Sequence, residues 1–124
     1  KPGPSPQAAP VAAASPGWPV FRGNPQATGT APCELAPQLE MLWTFSTEHD
    51  NFENAVAIVD GTVYAGSLGG NLYAIDLAGG TEKWRSFTKL GFTAAPAVHG
   101  GSVYLGDAEG RFYCLDTVAG KPKW

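Results

Sequence analysis

Basic residues, cysteine and long apolar runs are all scarce in this chain. Eight Lys and Arg stand against eleven Asp and Glu among 124 residues, a net charge of −3. No stretch gathers the basic residues together, so neither nucleic acid nor an anionic membrane is an expected partner. The sequence has no apolar run of roughly 18 residues, the length a membrane-spanning helix needs, and no membrane insertion within this chain is expected. The two cysteines, Cys33 and Cys114, stand far apart in the sequence and match no C-x-x-C ligand or redox spacing. They could form one disulfide, or both could stay unpaired with Cys114 a small buried residue. Two histidines and scattered serines compose no triad, and neither G-x-S-x-G nor a phosphate-cradling loop occurs. No catalytic, cofactor-binding or metal-binding residue is therefore assigned.

What the chain has in excess is glycine and proline, 16 and 11, which argues against a helical bundle. The two are segregated. Nine of the prolines fall in the first 37 residues and twelve of the glycines after residue 55. Residues 1–17 hold five prolines and five alanines with no aromatic residue, too little apolar surface to offset the entropy of ordering, and read as a Pro/Ala-rich disordered tether. Residues 18–42 gain aromatics and an arginine while keeping prolines, and read as an ordered lead-in segment without repeats. The chain begins on Lys1, so any signal or anchor is expected to have been removed or to lie outside this sequence.

From residue 43 the sequence is periodic. Trp43, Trp84 and Trp124 recur at an almost constant interval (84 − 43 = 41, 124 − 84 = 40). Placing residues 55–84 over 95–124 without a gap gives twelve identities in thirty positions, among them Tyr64/Tyr104, Tyr73/Tyr113, Asp76/Asp116 and Gly80/Gly120. The punctuation divides each period, 43–84 and 85–124, into four short strands. In the first these are 55–59, 62–66, 71–76 and a fourth from Glu82 through Trp84; in the second, 95–98, 102–106, 111–116 and a fourth from Pro122 through Trp124. Asp60-Gly61 and Gly100-Gly101 are two-residue hairpin turns. Neighbouring residues inside the strands are apolar on both sides of the pleat, so both faces must be covered. Tandem four-stranded antiparallel units of about 40 residues, packed face to face, are the blades of a β-propeller. The expected fold is all-β, with two blades present and the ring incomplete, because closure takes about four to eight blades. The remaining blades would come from sequence C-terminal to residue 124 or from self-association.

Residues 74–84 (AIDLAGGTEKW) and 114–124 (CLDTVAGKPKW) resemble the tryptophan-docking motif A-x-D-x-x-T-G-K-x-x-W of pyrroloquinoline-quinone-type (PQQ-like) propeller repeats. Asp, Gly and Trp stand in both copies, Gly79 and Ala119 replace the Thr, Lys121 alone supplies the Lys, and Cys114 replaces an Ala. The lead-in WPVFRGNP also looks like the start of such a propeller. The resemblance implies that Asp76, Gly80, Trp84, Asp116, Gly120 and Trp124 form a structural docking motif. In it the carboxylates accept turn N–H groups, the glycines supply positive φ, and the tryptophans pack between blades.

Functionally, the resemblance implies a non-catalytic, BamB-like scaffold for protein partners, periplasmic or otherwise exported, with no cofactor, and the Pro/Ala tether suits display from a membrane anchor. One alternative is part of a PQQ-dependent dehydrogenase, whose funnel would hold the quinone and calcium; the neighbouring-cysteine disulfide common among such alcohol dehydrogenases is missing here. Another is the sensor domain of a larger signalling protein. Residues 48–53 (Glu48, His49, Asp50, Asn51, Phe52, Glu53) are the one local cluster of metal-ligand types, but their spacing fixes no coordination geometry, and they read as a hydrated loop. His99 reads as an exposed turn residue, and Arg22 as a tie between the lead-in and the first blade.

Overall fold

The computed structural model describes residues 17–124, and among these all regular secondary structure is β-strand. The Pro/Ala-rich tether expected over 1–17 lies, all but Gly17, outside the described residues. Seven strands follow in order: β1 (Ala57–Val59), β2 (Thr62–Gly66), β3 (Asn71–Asp76), β4 (Glu82–Phe87), β5 (Ala97–His99), β6 (Ser102–Gly106) and β7 (Phe112–Asp116). They form two antiparallel meanders, one of four strands in the order β1-β2-β3-β4 and one of three, β5-β6-β7.

The repeat of the sequence is a repeat of register. Tyr64 lies opposite Ala57 and Ala74 in the first sheet, as Tyr104 lies opposite Ala97 and Cys114 in the second. Asp60 and Gly61 have φ of 48° and 68°, and Gly100 and Gly101 of 54° and 71°, the left-handed pair that lets a two-residue turn follow the twist of its strands.

Strand alternation sorts the side chains onto two faces. Ala57, Tyr64, Leu72 and Ala74 pack from the first sheet against Val98, Val103, Leu105 and Leu115 of the second, with Phe92 filling the space between. Val63, Tyr73 and Ile75 point the other way, where Trp43, Phe45, Val56 and Ile58 cover them. Both faces of the first sheet are thus covered, which is why its strands carry apolar residues at consecutive positions.

The second sheet departs from expectation at its outer edge. A fourth strand over 122–124 is reduced to a bridge between Leu115 and Pro122 and a hydrogen bond from Lys123 N–H to Cys114 O of 2.7 Å. Pro122 has no N–H to give to the ladder. Its counterpart Glu82 starts a six-residue strand that continues to Phe87. The lead-in spans both sheets: Trp18 exchanges main-chain hydrogen bonds with Ile58 of β1 (2.6 and 2.8 Å), and Pro19 O accepts from Val98 N–H of β5 at 2.8 Å.

Candidate functional site

Each sheet carries a carboxylate turn at the end of its third strand. Asp76 Oδ2 accepts the Gly79 N–H at 2.8 Å, and Asp116 Oδ1 accepts the Val118 and Ala119 N–H groups, both at 2.9 Å. Gly80 and Gly120 follow with φ of 68° and 66°. These bonds, from Gly79 to Asp76 and from Ala119 and Val118 to Asp116, hold both carboxyls below the usual aspartate range, with Lys83 and Lys123 adding to the effect.

The tryptophans sit on these turns with an offset of one blade. Trp43 lies over Gly80 and donates its indole N–H to Leu77 O at 2.9 Å, while Trp84 lies over Gly120 and donates to Thr117 O at 3.0 Å. A Cβ on either glycine would overlap the indole above it. The structure therefore brings Trp84 to Asp116 and Gly120, not to Asp76 and Gly80 of its own period. Trp84 is half-buried and tilts against Tyr64 at a ring distance of 5.9 Å. Trp124 is 67% exposed and stacks on Phe112.

Sequence reasoning passed over several partners in this arrangement. The repeated lysine before each tryptophan spans its blade. Lys83 Nζ donates to Thr62 Oγ1 at 2.8 Å and lies 3.4 Å from Asp76, and Lys123 Nζ donates to Ser102 Oγ at 2.7 Å and lies 4.0 Å from Asp116. The Lys83/Lys123 identity in the repeat was the signal for this. Of the repeated tyrosines, Tyr73 and Tyr113 each find a carboxylate, from different sources. Tyr113 donates to Asp107 Oδ2 at 2.8 Å, whereas Tyr73 donates to Asp50 Oδ2, which Asn71 Nδ2 also reaches at 2.8 Å. Ser67 occupies the position corresponding to Asp107, so in the first blade the carboxylate arrives from the preceding loop.

Burial raises both Asp50 and Asp107. Donors more than offset it and keep both below the ordinary value: for Asp50 the Tyr73 hydroxyl, Ser67, Asn71 and the Gly69 N–H, for Asp107 the Tyr113 hydroxyl and the Arg111 and Glu109 N–H groups. The hydroxyls shift the other way. Burial and the Asp50 bond raise Tyr73, the Asp107 bond and burial raise Tyr113, and burial raises Tyr64.

Of residues 48–53, then, Asp50 is bound into the blade while Glu48, His49 and Glu53 are exposed. The loop borders an open groove of about 430 Å³ with Phe45, Tyr73, Glu82 and Arg85, and no cluster of three metal-ligating side chains occurs among the described residues. Cys33 and Cys114 are both free. Cys33 is exposed on the lead-in while Cys114 is buried in β7, so the pairing that the sequence left open is not made. Arg22 does not tie the lead-in to the first blade; its φ is 60° and its guanidinium lies against Gly29, within the lead-in itself. His99 is exposed at the end of β5.

Comparison with known proteins places this geometry. Residues 36–124 match the family described as outer membrane protein assembly factor BamB. The quinohemoprotein alcohol dehydrogenase of Comamonas testosteroni superposes with a TM-score of 0.78 at 23% identity, over 88% of this chain and 19% of that one. BamB of Moraxella catarrhalis superposes with a TM-score of 0.58 at 23% identity, over 64% and 25%. A quinohemoprotein alcohol dehydrogenase of Pseudomonas putida HK5 gives 0.53 at 33% identity, over 56% and 12%. The chain thus corresponds to a quarter or less of the length of each. No curated protein matches it.

Proposed function

Since the chain belongs to the BamB family of PQQ-like propeller repeats, we propose that it is a non-catalytic scaffold whose loops recruit protein partners, exported to the periplasm and carried there on a tether. One observation carries this reading. The polar side chains of the two docking turns and their repeat-matched partners are used inside the blades: Asp76 and Asp116 in turns, Lys83 and Lys123 across hairpins, and Tyr73 and Tyr113 on Asp50 and Asp107. The repeats differ in the loop before each first strand, residues 46–54 in one and 88–94 in the other, and the first of these loops exposes Glu48, His49 and Glu53. A shared frame carrying such an exposed loop suits recognition of other proteins.

No helix among the described residues is long and apolar enough to cross a membrane. The family includes a protein named as an assembly factor of outer membrane proteins, and this supports an exported location for the chain.

The high fold likeness to an alcohol dehydrogenase favours a second reading, part of a quinone enzyme. Against it, Asp50, Asp76, Asp107 and Asp116 are engaged by the chain's own N–H and hydroxyl donors rather than free to hold calcium.

The two readings separate in one experiment. Photo-crosslinking residues placed at Glu48 and Glu53 in periplasm-expressed protein should give discrete protein adducts that a residue placed at Lys121 does not. Absence of adducts, together with dye-linked alcohol oxidation after addition of PQQ and calcium, would overturn the scaffold reading.

A further inference from the structure

A second groove opens at the seam between the two sheets, at the far end of β1 from the 46–54 loop. Asp60, at the tip of the first hairpin, lines one side of it and His99, at the tip of the second, lines the other. Thr117 borders it as well, and the buried Tyr64 reaches it from between the sheets. Its volume is about 420 Å³, within the range that small-molecule sites occupy.

The frame of the blades does not account for these side chains. In the ungapped alignment of the repeats, Asp60 corresponds to Gly100, His99 to Val59 and Thr117 to Leu77 (100 − 60 = 40, 99 − 59 = 40, 117 − 77 = 40). Gly100 makes at φ 54° the turn that Asp60 makes at 48°, so the turn has no need of a carboxylate. Val59 ends β1 as His99 ends β5, so the strand has no need of an imidazole. Both Asp60 and His99 are exposed, and among the described residues neither enters an ion pair or a side-chain hydrogen bond. The nearby lysines are already engaged. Lys83 Nζ donates to Gly61 O and Thr62 Oγ1, and Lys123 Nζ to Gly101 O and Ser102 Oγ.

Charge decides what the groove can hold. Lys83 with Asp76 and Lys123 with Asp116 balance as pairs, which leaves Asp60 as the uncompensated charge. Burial raises the Tyr64 hydroxyl, and the Asp60 and Asp116 carboxylates act on it in the same direction, so a further anion would meet the same repulsion. A cation meets acceptors instead. The Asp60 carboxylate, a ring nitrogen of His99 and the Thr117 hydroxyl can all accept from it, while Val59, Val98 and Val118 offer an apolar wall to a short aliphatic stem.

We propose that this groove binds a free small organic cation, an ammonium or guanidinium group on a short aliphatic stem, with Asp60 as its counter-ion. A bare metal ion is the poorer match, because no three metal-ligating side chains converge among the described residues. The groove lies between hairpins of successive blades, and both of its walls belong to residues 59–118. The inference rests on the packing of these two blades and not on the scaffold reading, so either can fail alone.

The test titrates butylguanidinium and butylammonium chlorides into the full chain and follows backbone amide shifts. Saturable shifts should appear at Asp60, Gly61, His99 and Gly100. Asp60→Asn, which keeps a residue that tolerates positive φ, should weaken binding by about tenfold or more, the loss expected for a charged hydrogen bond. His99→Val, which copies the first hairpin, should weaken it severalfold, and Glu34→Gln on the lead-in should leave it unchanged. Unshifted β3 amides in each variant certify that the fold is kept. Shifts that do not saturate, equal shifts from sodium acetate or glucose, or saturation indifferent to Asp60→Asn would each overturn the proposal. So would tighter binding by a blocked tripeptide with a central arginine than by butylguanidinium, since the occupant would then be a partner protein's side chain.

Discussion

At the level of single residues, the indole of Trp84 joins three things: Tyr64 of its own sheet, the Gly120 turn of the next, and the carbonyl of Thr117. Trp84→Ala should cost about 3 kcal/mol, the low end for a buried aromatic because the ring is half-buried, read from denaturant midpoints. Gly120→Ala should cost about 1–3 kcal/mol for the left-handed backbone alone, and more because the methyl would meet the indole. Gly110, also at positive φ but with open space around it, separates the two effects; Gly110→Ala should suffer the backbone cost only.

The depressed carboxyls Asp50, Asp76, Asp107 and Asp116 fix the sign of the acid response. Their stabilisation is present above the ordinary aspartate value of 3.8 and is lost as the pH falls through their lower folded values. A thermal-melt series should therefore be level near neutrality and decline as pH drops below about 4, and Asp107→Asn should flatten that decline. Identities such as Asp76/Asp116 were legible because one turn chemistry recurs twice. The role of Asp50 was not, because its partners Asn71 and Tyr73 lie 21 and 23 residues away and nothing in the loop's own spacing points to them.

At the level of elements, the strands β2, β3 and β6 fall where turn glycines and alternating apolar residues place them, since positive φ and a two-residue period are local properties. β1 and β5 begin at Ala57 and Ala97, later than the apolar runs suggest, because Val56 packs against the first sheet from outside the ladder. The fourth strand of the second sheet was overestimated from its likeness to β4. Pro122 outweighs that likeness by withholding one hydrogen-bond donor. The lysine spanning each hairpin offers a direct comparison: Lys83→Met should remove a charged bond to Thr62 and the approach to Asp76, costing about 1 kcal/mol, with Lys123→Met close to it. Amide exchange at Gly61 and Gly101 should report the loosened hairpins.

At the level of the whole molecule, the lead-in decides how the sheets sit together at β1 and β5. Its Trp18 and Pro19 hold Ile58 and Val98 in one short run of chain. Removing residues 1–22 should speed amide exchange at both Ile58 and Val98 while leaving β3 amides protected, and exchange unchanged at either would show that the tie carries no stability. Two blades and their face-to-face packing were readable from the period between tryptophans and from strands apolar on both sides of the pleat. The path of the lead-in was not, because its contacts are made by main-chain groups, which any sequence supplies.

The one-blade offset of the tryptophans has a consequence for how this chain could be cut or duplicated. The repeat as spelled runs from one tryptophan to the next, but what holds together in space begins at a tryptophan and reaches the glycine turn that follows it, across the boundary between sheets. A division after Trp84 would leave an indole in one piece and its seat at Gly120 in the other. Spelling and folding are out of phase, so a graft or shuffled module of these repeats should be joined within a sheet, at the turn between β3 and β4, after Gly80 and before Trp84, where no indole crosses the seam.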